Sequence, residues 1–245
     1  MDDNNLPQKD LIKKIVGDAR GAVGIRLCAI GVDLGIFEDL AKNGPATSQE
    51  LADRMNLDER YLREWGLGMF SLGYLDFDKV SRKISLNKEF IPVLVEEGGK
   101  FSQKGLIEIL NSSLLPYHEL LNSFKNGGGI NYDKIDKGFW NGIDQTGCTR
   151  YRHFLVTDWV DKMPELKSRL ETGSVTFADF GCGSGRSTIE MAKKFPKSQF
   201  FGFDLFEPNI ERAQKIALEA GVKNNLKFMQ WDVSNPLTEK FDFVA

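Results

Sequence analysis

The stretch ADFGCGSGRST, Ala178 to Thr188, is the end of a short apolar strand that runs through Gly181, Gly183 and Gly185 and straight into a helix. Glycines at such a turn have no Cβ, so the backbone can pass close to a bound ligand. A bare Gly-x-Gly-x-Gly also fits a tight strand-to-helix turn that binds nothing. The flanking sequence gives the turn its setting. Working outward, strand and helix patterns alternate: Thr176 to Phe180, Ser187 to Phe195, Gln199 to Phe203, Pro208 to Ala220 and Leu226 to Trp231. Such alternation predicts a parallel sheet with helices on its faces, an α/β fold. Pro208 at a helix start and Gly221 just past its end sharpen the boundaries.

Two acids add to the glycines. Asp204 ends the second strand about 20 residues after the turn, where a carboxylate can accept both hydroxyl protons of a ribose. Asp232 ends the third strand beside Trp231, placed for an adenine amino group and ring. Either acid alone reads equally as a helix cap or a solvated strand end. Together with the glycines they form a register at three successive strand ends, which points to a nucleoside. A dinucleotide turn wants a third small residue at the position held here by Arg186, so the register tells against that class.

The N-terminal half reads differently. Apolar residues recur at helical spacing from about Leu11 to Lys42 and stop at Asn43-Gly44-Pro45. Thr47 and Glu50 predict a capping box for a helix to Met55. Asp58 caps a second helix with Leu62, Trp65, Met69 and Leu72 on one face, ended by Gly73. Tyr74 to Phe77 and Lys83 to Leu86 alternate as a two-stranded wing. Helix, turn, helix, hairpin is a winged-helix order. A Leu- and Ile-rich helical pair follows from Phe101 to Phe124, broken near Pro116, then Gly127-Gly128-Gly129 and a helix from Arg150 to Lys162. The expected domains are therefore 1–100, a winged-helix-like module; 101–170, a helical linker or lid; and 171–245, the nucleoside-binding part.

From Phe177 to Ala245 the chain closely resembles class I S-adenosylmethionine-dependent methyltransferases, on the glycine triplet, Asp179 before it, and Asp204 and Asp232 after it. The resemblance implies S-adenosyl-L-methionine as cofactor. Asp179 and the glycines would surround its methionine part, Asp204 its ribose and Asp232 its adenine amino group. The implied cofactor-binding set is Asp179, Gly181, Gly183, Gly185, Asp204, Leu205, Trp231 and Asp232. The phrase TSQELADRMNLDERYLREWGLGMFSLGYL, Thr47 to Leu75, is similar to the N-terminal domain of those members, plant-type O-methyltransferases among them, that carry a winged helix ahead of the catalytic domain. The implied fold is a Rossmann-like methyltransferase sheet, incomplete at strands 1 to 4, behind a mostly helical winged-helix domain. The implied partner is a small-molecule methyl acceptor, and a homodimer through the N-terminal domain is compatible with this reading.

Composition bounds the rest. With 41% hydrophobic and 27% charged residues, a pI near 5.6 and a net charge of -3, nothing suggests a global attraction for nucleic acid or anionic membrane. Cys28, Cys148 and Cys182 form no metal-ligand cluster and fit a reducing cytosol. The polar start MDDNNLPQKD lacks the features of a secretory signal. The apolar stretch Ala22 to Phe37 is interrupted by Arg26 and Asp33 and is too short to span a bilayer, so it reads as a buried helix. KFDFVA, Lys240 to Ala245, reads as the start of a fourth strand, and the resemblance puts acceptor-binding and basic residues beyond it. The expectation is a fragment of a longer product or a shortened gene model, with an exposed apolar strand at its edge. No catalytic residue is assigned. His118 and His153 read as ordinary surface or helix-packing residues, and Phe139 and Trp140 as core between domains rather than a roof over the cofactor.

Two other functions compete. A DNA-binding regulator needs a basic winged helix, yet residues 47–83 hold Glu50, Asp53, Asp58, Glu59, Glu64, Asp76 and Asp78 against Arg54, Arg60, Arg63, Lys79, Arg82 and Lys83. Phosphate contacts supply most affinity for DNA, so this balance argues against it. The third reading is a non-catalytic dimerisation or interaction module with a vestigial cofactor site.

Overall fold

The computed structural model describes residues 6–245 and divides into two compact units, Met1–Ile143 and Asp144–Ala245. The first unit begins with α1 (Leu6–Asp33) and α2 (Ile36–Asn43), broken at Leu34 and Gly35 where the sequence pattern ran on as one helix. Only one face of the Ala22 to Phe37 stretch is buried: Cys28, Ala29, Ile36 and Phe37 are in the core, whereas Val23 and Ile30 are exposed. Helical periodicity turns an apolar run into a half-buried one whenever a single neighbour covers it. One such neighbour here is the second helix of the winged-helix motif, and the indole of Trp65 donates to the Leu27 carbonyl at 2.9 Å.

The capping signals hold. Thr47 accepts from the Glu50 amide at 3.2 Å and donates its own amide to the Glu50 carboxylate at 2.8 Å, opening α3 (Ser48–Met55). Asp58 accepts from the Tyr61 amide and opens α4 (Glu59–Leu72), which buries Leu62, Trp65 and Met69. The wing is β1 (Leu75–Phe77) paired antiparallel with β2 (Ile84–Leu86). Two further helices, α5 (Lys104–Ser113) and α6 (Tyr117–Asn126), turn about Pro116.

The division between units falls inside α7 (Lys137–Arg150), a helix that starts well before the Arg150 boundary expected from sequence. It continues as wide, π-type turns over Tyr151–Trp159, and α8 (Pro164–Thr172) follows. The second unit then alternates β3 (Thr176–Phe180), α9 (Arg186–Lys194), β4 (Gln199–Asp204), α10 (Glu207–Glu219), β5 (Leu226–Gln230) and β6 (Phe243–Val244). All four strands are parallel in the order β5-β4-β3-β6. The register sets Phe177 beside Phe200 and Gly202 beside Phe228, so Phe177, Phe200, Leu226 and Phe228 share one face with Asp179 and Asp204. That face packs on Ile189, Met191 and Ala192 of α9 and on Ile210, Ala213 and Ala217 of α10. The other face carries phenylalanine rings, with Phe180 stacked on Phe203 at 4.9 Å and Phe241 edge-on to Phe203 at 5.8 Å.

Thr47→Ala removes one half of the capping box and loosens the other. It is expected to lower the stability of the first unit by about 1 kcal/mol, readable as a lower urea midpoint.

Candidate functional site

The strand order reverses at β3: β4 and β5 lie on one side of it and β6 on the other. In an open parallel sheet, the crevice beyond the carboxyl ends of the strands at such a reversal is where ligands bind. The glycine turn stands there, because β3 ends at Phe180. Its first half is tied to the neighbouring strand: the amides of Gly181 and Cys182 both donate to the Phe203 carbonyl, at 2.7 and 2.9 Å. The Gly183 amide donates to Asp204 Oδ2 at 2.9 Å.

The three glycines do different work. Gly181 and Gly183 have φ of +76° and +53°, and a Cβ built on either meets nothing within 4 Å. Their backbone lines open space. Gly185, also left-handed at φ +71°, has the opposite environment: a Cβ there would overlap the Phe228 ring and fall 3.1 Å from Ala213. It is glycine so that α9 can start hard against β5, which the ligand-approach reading of this position did not include.

Asp204 is half-buried and already busy. Besides Gly183 it accepts from the Phe206 amide at 2.9 Å and the Asn209 side chain at 3.2 Å, both on Oδ1. A carboxylate offers about four acceptor positions, so one remains on the oxygen that faces the turn. Asp179 takes the hydroxyls of Ser187 and Thr188, both at 2.7 Å and both on Oδ2. Asp232 accepts from the Ser234 amide at 2.8 Å, a bond that holds its carboxyl below the usual carboxylate range. It therefore lies past the end of β5 and closes its own turn. Trp231 extends the ladder by donating its amide to the Asp204 carbonyl at 2.9 Å. Its indole N–H is buried without a hydrogen-bond partner among the described residues, which marks a donor awaiting an acceptor. Leu205 is exposed beside Asp204. Burial pushes the Cys182 thiol well above its ordinary value, and the charges of Asp179 and Asp204 push it the same way, so it stays a neutral filler of the turn.

The remaining sequence candidates sit on other elements. His118 is exposed on α6, and His153 sits on the wide-turned segment beside Phe154. Trp140 stacks on Tyr132 at 3.7 Å with Phe139 edge-on to it, a cluster inside the first unit. Among the described residues no group of acids, histidines and cysteines could hold a metal, and no helix is long and apolar enough to cross a membrane.

Sequence reading missed Asp144. This carboxylate on α7 receives Nε and Nη2 of Arg186, each at 2.9 Å, Nη2 of Arg212 at 2.9 Å, and the hydroxyl of Ser184 from within the glycine turn. Burial alone would raise its carboxyl; the bonds from Arg186 and Ser184 and the charges of both arginines outweigh that and hold it below the usual range. Arg186, which told against a dinucleotide, thus has a partner of its own. No motif flags a lone acid 40 residues from the turn.

A family model described as Rv2258c-like winged HTH domain matches residues 21–95, and one described as Methyltransferase domain matches residues 171–245. The chain joins a winged helix-turn-helix domain to a methyltransferase domain. Solved structures of this two-domain fold align over nearly all of it. PigF with SAH gives a TM-score of 0.68 at 15% identity, covering 98% of this chain and 71% of that one. Human N-acetylserotonin methyltransferase in complex with SAM gives 0.61 at 14% identity, covering 100% and 71%. Likeness at that identity is likeness of fold. Among curated proteins, the tRNA (guanine-N(7)-)-methyltransferase of Christiangramia forsetii is 41% identical over 46 residues, 19% of this chain and 20% of that protein. The chain spans less than a third of the length of the curated relatives it matches.

The methyltransferase domain's turn yields two expectations. Gly185→Ala should cost about 2–3 kcal/mol from overpacking plus a left-handed alanine, against about 1 kcal/mol for Gly183→Ala, which meets open space; denaturant titration ranks them. Asp144 titrates near 3.9 in the unfolded chain and lower in the folded one. Its stabilisation is therefore present above about pH 4 and lost as pH falls through the folded value. Asp144→Asn should accordingly flatten part of the acid limb of the stability curve, measured as urea midpoints between pH 3 and 7.

Proposed function

We propose that the methyltransferase domain binds S-adenosyl-L-methionine over the glycine turn and that the protein transfers its methyl group to a small-molecule oxygen, nitrogen or carbon. The observation that carries this reading is the turn itself. Two left-handed glycines with open space above them stand at the reversal of strand order, and Asp204 is within hydrogen-bonding reach of the same turn. The residues suit the group: an acid with a spare acceptor position for ribose hydroxyls, an unpartnered indole N–H, and Asp232 for the adenine amino group. Asp179, Gly181 and Gly183 would face the methionine part, with Leu205 and Trp231 against the nucleoside. Gly185 contributes by packing.

The sulfonium supplies an already activated methyl, so the protein need not generate a reactive group. Its own residues would bind and orient: the amides of Gly181 and Cys182 tie the turn to the end of β4, and Asp204 would hold the ribose edge. Small-molecule acceptors are favoured because the structural neighbours that align over the whole of this chain include an N-acetylserotonin methyltransferase, whereas the tRNA methyltransferase match covers 46 residues. We place the protein in the cytoplasm, consistent with three free cysteines. Exposed Leu11, Ile12, Ile15 and Val16 on α1 support a homodimer through the N-terminal domain. Residues 101–170 would then serve as the connecting helical region. The acid and base balance of residues 47–83 speaks against DNA as partner.

Calorimetry of the 245-residue chain with S-adenosylhomocysteine should record binding, and Asp204→Ala should weaken it at least about tenfold by removing a charge-assisted bond. Absence of binding by the wild type, or unchanged affinity in Asp204→Ala, overturns the assignment.

A further inference from the structure

We propose that Asp144 is a positioning residue that fixes the second half of the glycine turn, and that cofactor affinity depends on it; this rests on the cofactor reading above. A turn with three left-handed glycines in five residues has little conformational preference of its own. Its shape is therefore set by whatever anchors it. The first half has backbone anchors, from Gly181 and Cys182 to the end of β4. The second half is Ser184 and Gly185, leading into Arg186 at the first position of α9. Both Ser184 and Arg186 are anchored to one carboxylate, that of Asp144.

The geometry is that of a device rather than a chance surface pair. Asp144 has a side chain only 8% exposed, and its two oxygens accept four bonds: Ser184 and Arg186 on Oδ1, Arg186 and Arg212 on Oδ2. Those four fill its acceptor capacity. The planar fork of Arg186 meets both oxygens at once, which fixes direction as well as distance. Arg212 brings in α10, so one acid ties α7, the turn and two sheet helices together. Further along the same helical rod, burial and the negative charge of Asp179 push the Tyr151 phenol up, so this rod also looks onto the acid at the end of β3. Asp144 itself has no spare acceptor position, so it acts through Ser184 and Arg186.

The test compares wild type, Asp144→Asn, Ser184→Ala and the double variant, by S-adenosylhomocysteine calorimetry and by hydrogen exchange of the ligand-free chain. Each single variant is expected to bind about tenfold more weakly. The double variant should be scarcely weaker than the worse single, because both break one linkage. Amides of residues 183–185 should exchange faster in both single variants, while those of 226–230 keep wild-type protection. A generalised structural defect would instead raise exchange in both segments. Variants that bind as wild type, losses that multiply in the double, or unchanged exchange at 183–185 overturn the inference. If Asp144→Asn fails to fold, Ser184→Ala decides alone, since it leaves both arginine pairs intact. A wild-type chain that binds nothing sinks the cofactor reading and the affinity claim with it; a wild type that binds, with variants that bind equally, sinks only the role of Asp144.

Discussion

The amide of Gly183 and the carboxylate of Asp204 meet at 2.9 Å, and this bond joins the end of one strand to the end of the next. Asp204 is also bonded to Phe206 and Asn209 at the start of α10. A single acid thus holds the turn after β3, the end of β4 and the following helix in one arrangement. Its charge makes these bonds stronger than neutral ones. In the proposed function the same residue would receive the ribose, so folding and ligand binding would draw on one group.

The turn can hold that position only because the sheet behind it is tightly packed. Phe228 from β5 fills the space in front of Gly185 and Gly202, and a side chain at either glycine would collide with it. The ring of Phe177 sits between those of Phe200 and Phe243, at 5.7 and 5.2 Å, and anchors β3 from both neighbouring strands. Close-packed interiors do not deform continuously. A rigid floor of this kind lets a glycine-rich turn keep a definite shape despite its intrinsic freedom.

The first unit obeys the same economy with other means. Its helices are delimited by side-chain caps, Thr47 with Glu50 and Asp58 with the Tyr61 amide, and its core is organised around Phe37, Trp65 and Met69. Lys83 of the wing reaches Glu50 at 3.3 Å, so the cap of α3 also pins the hairpin. Cys28 is buried with its thiol pushed up by desolvation, a packing residue rather than a reactive one.

Local signals told most of the story in advance. The limits of β3, the capping box at Thr47, the stop at Gly73 and the alternation of strand and helix from Thr176 onward all arise from interactions within a few residues, which sequence spacing records directly. Asp204 and the glycines were legible for the same reason: a strand end and a left-handed turn are local requirements. The break at Gly35 and the early start of α7 were not, because periodicity alone does not register where a neighbouring element interrupts or extends a helix. The separate duties of Gly181, Gly183 and Gly185 depend on what stands opposite each of them, open space or Phe228. Asp144 was invisible because its meaning lies wholly in Ser184, Arg186 and Arg212, residues that chain folding alone brings to it. The sequence by itself determined most of the elements, their order and which residues stand at the strand ends; the tertiary structure decided which side chains hold those residues in place, since a carboxylate acquires its role from the donors around it.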